Sequence, residues 1–354
     1  DIKCVNNLNK IYTQRFIRDE AKTSLKELEN LVENFYGKDS YDYGSLMAEL
    51  GVTYYQLSMF AEAESAFETY IRIADEQLAE PNMIYGYVLS KYSIVLGASG
   101  KYLQAEKAKT DAIRIMEKFM GSEHPSVVVE NGNLGMLYYN MGKLEQAEDV
   151  LTATQETAAK VFGEKNSDYT TLIKTLALVY TDLGKYGEAE LLLDKVNNIN
   201  SELLKENDPI NADLMNSYGN LYWQMGRFDE ANNAYEKAVQ IRNSNNDTLS
   251  IPYAITLNNI AIIHDEMENH DKAFEYFQNS RNIIEKLVGK EHTIYQSNLF
   301  NEGVLFEKIG DFDNSLKKHL EALEISKAIF GEGHTRNAEV QINLARVYQQ
   351  KNDI

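Results

Sequence analysis

A chain of 354 residues can hold two or three ordinary domains or one elongated array, and its make-up favours helix: 44% apolar and 10% aromatic residues exceed what a disordered chain carries, and only four prolines interrupt it. Fifty-four acidic against 35 basic residues give a net charge of −19, which repels a phosphate backbone and an anionic membrane surface, so nucleic acid and membranes are set aside as partners. A single cysteine, Cys4, excludes an intramolecular disulfide; with no signal peptide and no apolar run near the ~20 residues of a membrane span, a cytoplasmic location is expected, with a removed leader left open by the start at Asp1.

The first 42 residues read as a worn repeat. Leu8, Tyr12 and Ala21 stand at phases that recur later, Asn9 and Arg18 replace a small and an aromatic residue, and Ala21 to Tyr36 reads as a helix. The pattern then returns without slip: an apolar residue, a small one, and a bulky one three later. It runs Leu50-Gly51 to Tyr54, Tyr92-Ser93 to Leu96, Leu134-Gly135 to Tyr138, Leu176-Ala177 to Tyr180 and Tyr218-Gly219 to Tyr222. It continues as Ile260-Ala261 to His264, Glu302-Gly303 to Phe306 and Leu344-Ala345 to Tyr348. The small residues are spaced by 42 throughout.

Twelve residues after each small position stands another, namely Ala63, Ala105, Ala147, Ala189, Ala231, Ala273 and Ser315, as two closely crossing helices require. Between them Gly100, Gly142, Gly184, Gly226 and Gly310 mark a helix-ending turn, and Tyr102, Leu144, Tyr186, Phe228 and Phe312 begin the second helix. Gly37, Gly121, Gly163, Gly289 and Gly331 end that helix. His124-Pro125, Asn166-Ser167, Asp208-Pro209, His292-Thr293 and His334-Thr335 then supply start signals for the next first helix. The prediction is one all-α array over 1–354 with no domain boundary: a degenerate repeat at 1–42, seven copies over 43–337, and a terminal half-repeat or capping helix at 338–354.

Leu134-Gly135, Tyr138, Gly142-Lys143-Leu144 and Ala147-Glu148 resemble the tetratricopeptide repeat. The 42-residue period, the connection Gly121-Ser122-Glu123-His124-Pro125 and the segment Asn258-Asn259-Ile260-Ala261 are similar to its kinesin light chain subclass. The resemblance covers essentially the whole chain and implies a superhelix of antiparallel helix pairs. Three departures stand out: Glu268 and Asn269-His270 replace the usual turn of repeat six, and the connections at Ala79 to Pro81 and Asp247 to Ile251 lack the glycine.

Nothing in the pattern carries chemistry. His124, His292 and His334 share one repeat phase and read as connection residues, His264 replaces a packing tyrosine, and no His-Glu-x-x-His or Gly-x-x-x-x-Gly-Lys motif occurs. Neither catalysis, nor a metal, nor a cofactor is expected. The resemblance implies instead a concave groove lined by the first helices, at positions three before and one, four and five after each small residue. In the middle of the chain these are Tyr139, Asn140, Lys174, Asp182, Asn216, Asn220, Trp223, Gln224, Asn258, Asp265 and Glu266. An amide can donate to and accept from an extended peptide backbone, and Trp223, the only tryptophan, is the candidate anchor.

The expected function is therefore a non-catalytic module that binds a peptide or extended protein segment bearing basic and apolar residues. Two alternatives accompany it. One is the regulatory arm of a larger protein such as a caspase-like protease, with which repeat arrays of this kind are associated; the other is a bacterial receptor for a signalling peptide.

Overall fold

The computed structural model describes residues 18–57 and 59–352, so Cys4, Leu8, Asn9, Tyr12 and Ile354 lie outside the described residues. Among the described residues the chain forms α-helices only. These are α1 (Arg18–Tyr36), α2 (Tyr41–Gln56), α3 (Phe60–Gln77), α4 (Met83–Ala98), α5 (Tyr102–Met120), α6 (Pro125–Asn140), α7 (Leu144–Phe162) and α8 (Ser167–Asp182). They continue with α9 (Tyr186–Leu203), α10 (Pro209–Gln224), α11 (Phe228–Ser244), α12 (Ile251–Glu266), α13 (His270–Val288), α14 (Thr293–Lys308), α15 (Phe312–Phe330) and α16 (Thr335–Asn352). Even-numbered helices are the first helices of the repeats and odd-numbered ones the second.

Each boundary has a local cause. The turn glycines take positive φ, from 70° at Gly142 to 78° at Gly310, and the residue after each closes the helix, as where the Lys143 N–H donates to the Tyr138 carbonyl at 2.9 Å. At repeat six Glu268 adopts φ 59° in the glycine's place and the same closing bond forms from Asn269 to His264, 2.8 Å. The start signals act as side-chain caps: His124, His292 and His334 accept through Nδ1 from the backbone N–H groups of Ser126, Ile294 and Arg336 at 3.2, 3.2 and 3.1 Å. Asn166 and Asp208 do the same with a carboxamide and a carboxylate oxygen.

The chain groups into two compact units, residues 1–143 and 144–354, where the sequence predicts one array without a boundary. In the first unit α2 packs on α3 and α4 on α5; in the second, α8 on α9, α10 on α11, α12 on α13 and α14 on α15. Each second helix also packs on the next first helix of its unit, and successive first helices of a unit touch while successive second helices approach less closely. The first helices thus make one continuous, closely spaced face within each unit. The small residues from Gly51 to Gly303 are buried at the crossing, as are the alanines twelve later, whereas Ala345 on the last helix is exposed. Three of the glycines meet a ring sixteen residues on: a Cβ at Gly51 would lie 2.9 Å from Phe67, at Gly219 2.4 Å from Tyr235, and at Gly303 2.6 Å from His319.

Candidate functional site

Of the eleven candidate residues, Tyr139 and Asn140 end α6 in the first unit, the tyrosine half-buried and the asparagine exposed. The other nine belong to the second unit, on α8, α10 and α12, which are neighbours. The face described below is theirs.

Its centre is a run of asparagines whose amides are partly spent on one another. Asn216 donates through Nδ2 to Thr256 Oγ1 at 3.0 Å, and its Oδ1 is buried with no partner. Asn220 Oδ1 accepts from the Tyr235 hydroxyl at 2.6 Å and from Asn259 Nδ2 at 3.5 Å. Asn258 Oδ1 accepts from Asn298 Nδ2 at 3.4 Å and Asn301 Nδ2 at 3.2 Å. The expectation that each amide is free both to donate and to accept is corrected here: neighbouring first helices approach closely enough to use half of each. Thr256, Asn259, Asn298, Asn301 and Tyr235 are the residues that sequence reasoning missed. A signal for two of them existed, since Thr256 and Asn298 stand where the earlier repeats have Leu172 and Leu214.

The charged candidates divide. Lys174 is half-buried on α8; desolvation lowers its pKa, and the Asp213 carboxylate works against that shift. Asp213 is itself ion-paired to buried Arg242, which also meets Asp247 at 2.7 Å. Asp182 is exposed at the end of α8. Asp265, expected to attract a basic partner, is instead buried, with Lys308 Nζ at 2.8 Å and His270 Nδ1 at 3.1 Å. A buried carboxylate survives only with such partners, so Asp265 ties α12 to α14 and is not open to a ligand. Glu266 is exposed and shares Lys308 at 2.9 Å.

Trp223 and Gln224 close α10, both exposed, with 36% of the tryptophan's surface open to solvent. Trp223 makes no aromatic ring contact among the described residues. His264 is buried and stacks on Tyr276, 5.5 Å between centroids, as expected of a residue in a tyrosine's packing position. Among the described residues no three His, Cys, Asp or Glu side chains could hold a metal, and no helix is long and apolar enough to cross a membrane.

Comparison with known proteins bears on this architecture. The family model described as tetratricopeptide repeat matches residues 128–196, 168–244, 252–313 and 295–354, more than half of the chain. The model described as anaphase-promoting complex subunit 5 matches residues 5–85. No curated protein sequence matches. The crystal structure of BtubC (BKLC) from P. vanneervenii is 26% identical, covers 59% of this chain and 85% of its own, and has a TM-score of 0.51. A tetratricopeptide repeat protein from Parabacteroides merdae is 14% identical over 86% of this chain and 98% of its own, with a TM-score of 0.55. A Rap protein crystallised with competence and sporulation factor is 11% identical over 99% and 98%, with a TM-score of 0.54. At such identities the last two likenesses speak for the fold alone.

Proposed function

Given that the chain belongs to the tetratricopeptide repeat family, we propose that it is a non-catalytic interaction module that takes a peptide or extended protein segment on the first-helix face formed by α8, α10 and α12. The family's repeats serve as protein-interaction scaffolds, and that coarse role needs no particular residue. The finer claim rests on one observation: a part-exposed indole at Trp223 beside a row of amides in which Asn220 and Asn258 each keep an Nδ2 without a partner among the described residues, while the unpartnered oxygen of Asn216 is buried.

The chemistry follows from those groups. A main chain crossing the face meets amide groups at successive helices, while an apolar side chain covers the indole and removes it from water. Basic residues of the partner have less to meet than the sequence implies, because Asp265 and Asp213 are paired internally and Glu266 shares Lys308. The chain's net charge of −19 still favours a cation over an anion beyond the immediate contact. A cytoplasmic site of action belongs to the same proposal.

Selection of displayed random peptides on the wild-type protein, followed by calorimetry, supplies the test. The double variant Trp223→Ala/Asn220→Ala, folded by circular dichroism, is expected to lose about 2 kcal/mol or more in affinity for the selected peptides, the cost of removing a buried aromatic anchor. Selected peptides that bind wild type and double variant equally well would overturn the assignment of this face.

A further inference from the structure

The buried ring behind the amide row has a hydroxyl that packing does not require. Tyr235, on α11, is 2% exposed and stands at a phase held by Phe67, Leu151, Leu193 and Phe277 in four other repeats, which fill the space between helices without a polar atom, and by the buried Lys109 and His319 in two more. Gly219 lets the ring lie directly on the α10 backbone, since a Cβ there would sit 2.4 Å from the ring. From that position the hydroxyl reaches past the backbone to Asn220 Oδ1 at 2.6 Å. Burying a hydroxyl costs free energy unless it is hydrogen-bonded, and this is its one bond among the described residues.

We propose that Tyr235 is a positioning residue for the ligand face: by donating to Asn220 Oδ1 it fixes the carboxamide so that Nδ2 is turned to the face, and it thereby makes Asn220 a donor to acceptor atoms of the bound segment. The inference rests on the reading that this face binds a peptide, and it specifies which peptide atoms that face reads. Asn259 Nδ2 shares the same oxygen at 3.5 Å, so Oδ1 faces two protein donors and has little left for a ligand. Asn258 is set in the same sense by Asn298 and Asn301, both of which donate to its Oδ1. Two adjacent first helices therefore offer amide N–H groups, and the matching groups on an extended segment are main-chain carbonyls. The phenol remains a donor because burial raises its pKa.

The packing phase identifies the variant to use. Tyr235→Phe places in this repeat the residue that Phe67 and Phe277 already are in theirs, so the fold is expected to be kept. Asn220→Asp keeps an oxygen for Tyr235 but replaces the outward donor with a carboxylate oxygen. Without any ligand, the side-chain amide resonances of Asn220 in the asparagine-labelled protein, assigned by their loss in Asn220→Ala, are expected to shift and to exchange faster in Tyr235→Phe. With a peptide selected on the wild type as probe, Tyr235→Phe is expected to weaken binding roughly 5-fold, the effect of one hydrogen bond's worth of pre-organisation, and Asn220→Asp to weaken it more than Asn220→Ala does.

Unchanged Asn220 resonances in Tyr235→Phe would overturn the positioning role, whatever binds. An Asn220→Asp variant that binds the peptide as tightly as wild type would overturn the donor assignment. If the resonances move while the Trp223→Ala/Asn220→Ala variant keeps full affinity, the positioning stands and it is the peptide-binding reading of this face that fails.

Discussion

From residue 101 to residue 230 each hairpin is tied to the preceding one just beyond its turn, beside one buried pair, Lys109 with Glu130; from residue 264 onward those outer ties are missing and inward ones take their place. The cation that follows the turn glycine reaches a glutamate thirty-seven residues back: Lys101 pairs with Glu64, Lys143 lies 2.7 Å from Glu106, Lys185 2.6 Å from Glu148 and Arg227 3.8 Å from Glu190. The same cations lie over the rings of Tyr138, Tyr180 and Tyr222, 5.5, 5.5 and 4.4 Å from the centroids. In the next two repeats both halves vanish together, with Asn269 and Asp311 in place of the cation and Asn232 and Phe274 in place of the glutamate. There α14 bonds to its neighbours through Lys308 with Asp265 and Arg346 with Glu307, on the first-helix face, and through the buried carboxylate of Glu302 with Arg281 and Lys318. The difference bears on function. Where the ties lie beyond the turns, the first-helix face is left to Trp223 and the amides; where they lie inward, ion pairs occupy it.

The largest effect that would test this contrast is at Glu302, fully buried at a phase where Leu50, Leu134, Leu176 and Leu344 are apolar. Glu302→Ala leaves two nearly buried cations without their counter-charge, and a cost of about 3 kcal/mol or more is expected. Glu148→Ala, which breaks a tie near a turn whose lysine is 41% exposed, should cost less than about 1 kcal/mol. Urea denaturation of both variants decides it, and equal losses would erase the distinction between outer and inner ties.

A second test uses acid. His319 is fully buried with both ring nitrogens unpartnered, the Gly303 backbone against one face and Phe300 edge-on; Glu307 and Arg346 are the charged groups near it. Burial holds its pKa down to about 4, below the usual 6.5. The folded chain therefore refuses a proton that the unfolded chain accepts below 6.5. The stability from this group is whole above that pH and is lost as the pH falls toward 4. Between pH 7 and pH 5 the loss is about 2 kcal/mol. His319→Phe, which copies Phe277, should remove that part of the pH dependence and stabilise the protein at pH 5. Hydrogen exchange of α14 and α15 measures it locally, as an array that opens piecewise requires. An unchanged difference between the two pH values would show that His319 does not carry the acid sensitivity.

The two inner features mark the limit of what the sequence disclosed. The 42-residue period, the turn glycines, the capping histidines and the packing role of His264 were all legible, because each depends on residues a few positions apart or on a phase that repeats. Asp265 was misread because its partner, Lys308, is forty-three residues on and belongs to another helix. The amides were read singly, yet Asn220 and Asn258 are set by Tyr235, Asn298 and Asn301 from neighbouring helices. Periodicity reveals which positions face inward, and it says little about which of the polar groups there are already spent.

The smallest expected effect is the most direct test that the outer tie is a paired device. At the sixth repeat the chain has removed both members, and the Oδ1 of Asn232 is buried without a partner where the four preceding repeats have Glu64, Glu106, Glu148 and Glu190. Installing the cation alone, Asn269→Lys, gives it no counter-charge from the preceding second helix and should change stability by less than about 0.3 kcal/mol. Installing the glutamate alone should likewise do little or destabilise slightly, since the chain is already acidic. Together, Asn232→Glu and Asn269→Lys rebuild the arrangement of Glu190 with Arg227, with the ring of His264 standing where Tyr222 does. A double-mutant cycle is then expected to give a favourable coupling of about 0.5 kcal/mol that shrinks in high salt. A coupling of zero would mean that the recurrence of lysine and glutamate at these two phases reflects solvation of an outer surface, and that the hairpins are held by their apolar crossings alone.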